Sequence, residues 1–163
     1  MGRYYWTENF EGKFTFAVQG SYEPAAVYDM TWLDDDEAEA EGLGIFSCTD
    51  AHLPVIRKEM DACFNRIGIA PEDRKYWFEK NEDIYEYVYD VVTPKVFKEY
   101  DQETDEGIPY GGFDKEFLEK HGFKKDTLYP IGDRKAAEGT LVLGMVIHSE
   151  LVMSGSCMLY AEM

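Results

Sequence analysis

The groups in this 163-residue chain that could do chemistry are three histidines, three cysteines and 33 acidic side chains. The one metal-like spacing is Cys48-x3-His52, with Cys63 further on. Thiolate and imidazole suit zinc, but a structural zinc site needs four ligands, and Cys63 falls on the apolar face of a predicted helix. A buried thiol and a surface histidine account for these residues without a metal. The calcium-loop spacing fails twice. From Asp34 the Gly and Glu positions of such a loop are held by Glu39 and Ile45, and from Asp101 by Glu106 and Gly112. No Gly-x-Ser-x-Gly surrounds His148-Ser149 or Ser154-Gly155-Ser156. Gly107-x-x-x-Gly111-Gly112 lacks the Lys-Ser/Thr of a phosphate loop. Carboxylates are abundant, but acid–base work needs one held protonated beside another left ionised, and that depends on burial. No catalytic residue, metal ligand or cofactor is assigned on these grounds.

The acids are informative through their distribution. Between Phe14 and Ile56 there is no lysine or arginine, and nine acids give net −9 over 43 residues. Six of them are packed into Asp34-Asp35-Asp36-Glu37-Ala38-Glu39-Ala40-Glu41. Residues 78–116 carry a second surplus of −8, including Glu82, Glu86 and Asp90 at helical spacing, about 6 Å apart per turn. The rest of the chain is close to neutral, although the total is −17. Such a field attracts cationic partners and repels nucleic acid and anionic membranes. The best basic clusters, Arg57-Lys58 and Lys124-Lys125, sit in acidic surroundings. Solubility alone is the plainer reading of the same charge.

With 45% hydrophobic and 15% aromatic residues, the chain is too rich in core-forming side chains to be a disordered acidic tail. Its length fits one domain, 1–163. The odd, sparse cysteines and the mixed Met1–Trp6 start predict free thiols in a reducing cytoplasm. The apolar run Leu141–Ile147 is too short to span a bilayer.

These residues must be positioned by local elements. Arg3–Thr7 and Lys13–Gln19 read as a hairpin, the second strand on the alternation of Phe14, Phe16 and Val18. Gly20–Gly42 reads as irregular or loosely helical, with the acid run in a solvated loop or frayed turn. Leu43–Cys48 is a third strand. A helix opens near His52 with Pro54 in its first turn, buries Leu53, Ile56, Met60, Cys63, Phe64 and Ile67, and ends at Gly68. A second helix is predicted from Ala70-Pro71, carrying Tyr76, Trp77 and Phe78. Asn81–Val92 favours helix over strand, Thr93-Pro94 starts another to about Tyr100, and Asp101–Gly112 is a loop. Phe113–His121 is helical, Asp133 caps a helix to Met153, and Ser156–Glu162 is a final strand. The predicted fold is α+β: a small antiparallel sheet of three to four strands with about five helices packed on one face, the two terminal strands adjacent.

Gly2-Arg3-Tyr4-Tyr5, Glu11-Gly12-Lys13-Phe14 with Phe16-Ala17-Val18-Gln19, and Ser156-Cys157 with Tyr160-Ala161-Glu162 together resemble a family of small acidic proteins met in viral and environmental sequences. That family has no assigned activity. The resemblance implies a phage or viral origin and carries over no functional residue.

The function expected is that of a non-enzymatic binding protein. Asp34, Asp35, Asp36, Glu37, Glu39, Glu41, Glu82, Glu86 and Asp90 would contact a basic surface, such as that of a nucleic-acid-binding defence protein, by mimicking phosphates. Two alternatives stand beside it. One is a small Mg²⁺-dependent hydrolase or nucleotide-handling enzyme. The other is a self-associating accessory protein using Tyr85, Tyr87 and Tyr89.

Overall fold

Every second residue of Leu43–Thr49 and Ser156–Glu162 is buried: Gly44, Phe46 and Cys48 in the first, Cys157, Leu159 and Ala161 in the second. That period of two makes a strand with one face in the core. In the computed structural model, which describes residues 4–13, 23–96 and 125–162, these segments are the long strands of a five-stranded antiparallel sheet. The strands are β1 (Tyr4–Trp6), β2 (Glu11–Lys13), β3 (Thr31–Leu33), β4 (Leu43–Thr49) and β5 (Ser156–Glu162), in spatial order β2-β1-β5-β4-β3. β4 and β5 pair from Leu43↔Glu162 to Thr49↔Ser156. The N- and C-terminal strands are neighbours, as their matching patterns predict, with Tyr5 opposite Ala161 and Trp6 opposite Tyr160.

The inner face of the sheet is covered by helices, giving the expected α+β architecture. They are α1 (Glu23–Tyr28), α2 (Asp36–Ala40), α3 (Leu53–Ile67), α4 (Asn81–Tyr87), α5 (Thr93–Val96) and α6 (Lys125–Ser154). α3 buries Ile56, Met60, Cys63, Phe64 and Ile67, the face read from the sequence, and Gly68 closes it at φ 91°. α6 is buried on all sides from Ala137 to Leu151 except at Thr140. It is the central core helix, which explains its apolar surface all round. Its Arg134–Ser154 stretch has the length and mean hydropathy (1.3) of a membrane span, but 78% of that window is buried within the protein. α6 packs against α3 and α1 at Gly144, where a Cβ would collide with the Tyr28 hydroxyl and lie 2.8 Å from Met60 Cγ. Tyr28 Oη donates to the Thr140 carbonyl at 2.5 Å, locking α1 onto the pair.

Several expectations are corrected. The segment read as irregular or loosely helical holds the short helices α1 and α2 in its described part, 23–42, and also the strand β3, which that reading lacks. The described second strand is Glu11–Lys13, joined to β1 by a turn in which Thr7 N donates to Phe10 O at 2.7 Å. The predicted strand beyond Lys13, the loop after 100 and the helix 113–121 lie outside the described residues. Pro71–Asp73 is a single 3₁₀ turn and not the start of a helix. Arg74 explains the stop, since its side chain bonds back to Ile69 O, Asp61 and Asn65. Residues 74–78 then run extended, Tyr76 and Phe78 inward and Lys75 and Trp77 outward. Asn81–Val92 is helical, but Val88–Val92 widens into a π turn before Pro94. Proline lacks the N–H and crowds the carbonyl four residues back, and the wider turn relieves both conflicts. α6 begins at Lys125, well before the cap expected at Asp133.

Candidate functional site

The acid run folds because one of its members serves the others. Asp35 caps α2, its Oδ1 accepting from the amides of Glu37 and Ala38, both at 3.0 Å. Asp36, Glu37 and Glu39 occupy the first turn, where the helix dipole favours negative charge. Gly42, at φ 77°, turns the chain into β4. A five-residue helix is marginal by itself, so the cap is what orders the run. Asp34, Asp36 and Glu39 are all exposed, and their carboxylate oxygens lie within 4.8 Å of one another. Such a cluster can condense a divalent cation. Asp35 thus has a structural role as the cap, and it is exposed together with Asp34, Asp36, Glu37, Glu39 and Glu41.

The two acidic blocks do not merge. α2 links β3 to β4 at one edge of the sheet. α4 covers the opposite edge, where Glu11 N donates to Asn81 Oδ1 at 2.9 Å and Tyr85 Oη donates to Glu11 O at 3.3 Å. Four strand spacings, roughly 19 Å, separate the two edges. Glu82, Glu86 and Asp90 are exposed. Glu86 and Asp90 share a shallow depression of about 310 Å³ with Lys75, so the second block is partly compensated. Among the described residues, none of the nine acids expected to meet a partner is in an ion pair within 4.0 Å. The nine acids therefore form two separate patches, and Lys75 stands beside the α4 patch. The tyrosines divide similarly. Tyr85 and Tyr89 are exposed, whereas Tyr87 is half-buried and donates to Asp73 O at 2.5 Å.

Between these patches lies a surface the sequence reading missed, the outer face of the sheet. Register places Trp6, Tyr160, Ile45 and Leu33 in one row across β1, β5, β4 and β3. The Trp6 and Tyr160 rings stack with centroids 5.8 Å apart and planes 12° from parallel. Tyr4 and Met158, on the same face, are 42% and 46% exposed. The alternation of Ser156, Met158, Tyr160 and Glu162 with the buried residues of β5 is the signal that reveals this face. At its Ser156 end opens a cleft of about 540 Å³ lined by Trp6, Tyr160, Met158, Glu8 and Glu150. Glu150, on the last turns of α6, is only 3% exposed. Its carboxylate accepts from Thr7 Oγ1 at 3.0 Å, from Asn9 Nδ2 at 3.1 and 3.2 Å, and from Ser154 Oγ at 3.3 Å. All of these donors are neutral.

Other buried polar groups on α6 serve packing. Burial raises the Glu138 carboxyl above its ordinary range, opposed by the Thr93 hydroxyl that donates to it at 2.8 Å. Ser149 Oγ accepts from Phe78 N at 3.1 Å, tying the extended 74–78 segment to the core. His148 Nδ1 has no hydrogen-bond partner, and burial, with Arg57 nearby, pushes the imidazole down to about 4. It is neutral at physiological pH. Cys48 and Cys157 are directly opposed on β4 and β5. The neighbouring Cys157 thiol lowers Cys48, and Cys48 together with burial raises Cys157. Cys63 is buried on α3 and Cys48 on β4, so the thiols of the Cys48-x3-His52 and Cys63 set are divided between core helix and core strand.

No family model matches the chain, and no curated protein or solved structure matches it either, so nothing there supports or opposes the resemblance of its two ends to a viral family.

Proposed function

We propose that this protein is a non-enzymatic binder of a basic protein surface, docking through the acidic patch around α2. The observation that carries the reading is that Asp34, Asp36, Glu37, Glu39 and Glu41 are exposed, ordered by a cap, and in no ion pair among the described residues. Retaining uncompensated like charges at this density costs stability. A cationic partner recovers that cost on docking, chiefly as a faster association rate. In its finer form the partner is a nucleic-acid-binding protein and the patch substitutes for phosphate, as a viral inhibitor of a host defence factor would. The free, buried thiols accord with the reducing cytoplasm this reading assumes.

The test replaces Asp34, Asp36, Glu37 and Glu39 by Asn or Gln, leaving the Asp35 cap intact. Purified basic nucleic-acid-binding proteins are presented to both forms at rising salt, with polylysine as a non-specific control. Capture of a defined partner that weakens steeply with salt and disappears in the variant supports the reading. Undiminished capture by a folded variant overturns it. If nucleic acid does not compete for that partner, the mimic form is excluded.

The Mg²⁺-dependent alternative draws on the same Asp34–Asp36–Glu39 cluster. A rise in unfolding temperature with millimolar Mg²⁺, lost in the same variant, would favour it.

A further inference from the structure

We propose that the cleft between Trp6, Tyr160 and Glu150 is a receptor for a guanidinium group, the head of an arginine side chain on a partner. The inference goes beyond the α2 patch and does not depend on it. The cleft lies toward the other end of the outer face, and β5 runs about 14 Å from Met158 to Glu162, the residue opposite the end of β4 that α2 precedes.

The chemistry of the walls selects the ligand. Glu150 is a buried acidic side chain whose hydrogen-bond donors among the described residues are all neutral, so no cation meets it and a cationic head group has a complementary place beside it. Thr7 and Ser154 line the cleft with it and each donate a hydroxyl to it. Asn9, which is exposed, reaches both of its oxygens with one amide nitrogen, at 3.1 and 3.2 Å. A carboxylate reached at both oxygens is the fork that a guanidinium engages with two parallel N–H bonds. The hydroxyls of Thr7 and Ser154, which line the cleft, are the neutral contacts to Glu150 that an incoming guanidinium would replace. Two stacked rings wall the same cleft, and a guanidinium is flat, weakly hydrated and attracted to aromatic faces. An ammonium offers no plane to lie against them. A divalent metal would require several further oxygen ligands, which Trp6, Tyr160 and Met158 do not supply. Anions meet both Glu150 and Glu8.

A free guanidinium compound and an arginine within a protein present the same head group. Titration of the full chain with N-acetyl-arginine amide, with a Gly-Arg-Gly peptide and with the neutral isostere Gly-citrulline-Gly separates them. It is followed by the indole N–H resonance of Trp6 and the amides of Thr7 and Glu8. The expected result is a saturable shift for both arginine ligands and none for citrulline. Tighter binding of the peptide assigns the ligand to a partner chain. Equal affinity assigns it to a small molecule. Glu150→Gln should weaken binding about tenfold. Tyr160→Leu, on the open face where folding is not at stake, should weaken it severalfold. Equal shifts from citrulline, or unchanged affinity in a folded Tyr160→Leu variant, would overturn the proposal. So would the absence of saturation at about ten millimolar arginine ligand. Replacing the α2 acids should leave these titrations unaltered within a factor of two to three, which keeps failure of this site distinct from failure of the α2 reading.

Discussion

The two faces of the sheet are made from the same strands, yet their side chains do different work. On the inner face Tyr5, Phe46 and Leu159 are 0% exposed, and Cys48, Cys157 and Ala161 fill the space beneath α3 and α6. On the outer face Trp6, Ile45 and Tyr160 are only half-buried, and Tyr4 and Met158 stand exposed among acidic residues. An aromatic pair on a solvated face contributes less to stability than a core residue, because it retains contact with water in the folded state. What such a pair does offer is a rigid, flat contact area at small entropic cost, the usual anchor of an interface. The inner face therefore holds the protein together, and the outer face remains available for recognition.

Phe46→Ala tests the inner face most severely. It should cost about 3–5 kcal/mol, read as a fall in the urea midpoint, since the helices above cannot collapse into the cavity. An equally large loss from an outer-face substitution would show that the outer face is a second core, and the contrast would fail.

Acidification probes the core beneath the inner face. The folded pKa of His148, about 4, lies below its ordinary 6.5, so the unfolded chain binds the extra proton first. Stability is fully present above pH 6.5 and is lost as pH falls through about 4, by at most about 3 kcal/mol. Glu138 acts with the opposite sign. Its carboxyl is raised by burial, so protonation favours the folded state and offsets part of the loss toward the acid end. Comparing unfolding free energies of the protein and a His148→Gln variant between pH 7 and 4 isolates the histidine, whose removal should flatten the slope.

At the rim, Asp35→Ala should cost about 1 kcal/mol, confined to α2 and visible as faster amide exchange at Glu37 and Ala38. Asp36→Asn should leave those amides protected, separating the cap from the free charge beside it.

The smallest effect on stability belongs to the outer row. Trp6→Leu should lower the unfolding free energy by no more than about 1 kcal/mol, the worth of the stack with Tyr160. By the guanidinium proposal the same substitution should abolish most ligand binding. A large loss of one property with a small loss of the other is the sharpest form of the contrast between the faces.

Where one element decides its own state, the residues could be read directly. α3 follows its spacing of three and four, Pro54 lies in its first turn and Gly68 closes it, because an amphipathic helix needs only a face to bury and ends that satisfy its backbone. The alternation of β4 and β5 likewise required no knowledge of partners. Composition determined the acidic character, and the base-free stretch located the exposed run. The tertiary structure decided everything that depends on which elements meet. The segment after Pro71 carries helix-start signals but runs extended, because Arg74 has Asp61, Asn65 and Ile69 O to hold and Phe78 N has Ser149. α2 and α4 ended at opposite sheet edges because strand order, which local pattern does not encode, put β3 and β2 there. Glu150 and Trp6, 144 positions apart in sequence, came to line one cleft only through the pairing of the terminal strands. Local periodicity is a property of one segment and its contact with water, whereas a site is a property of several segments at once, and only packing brings them together.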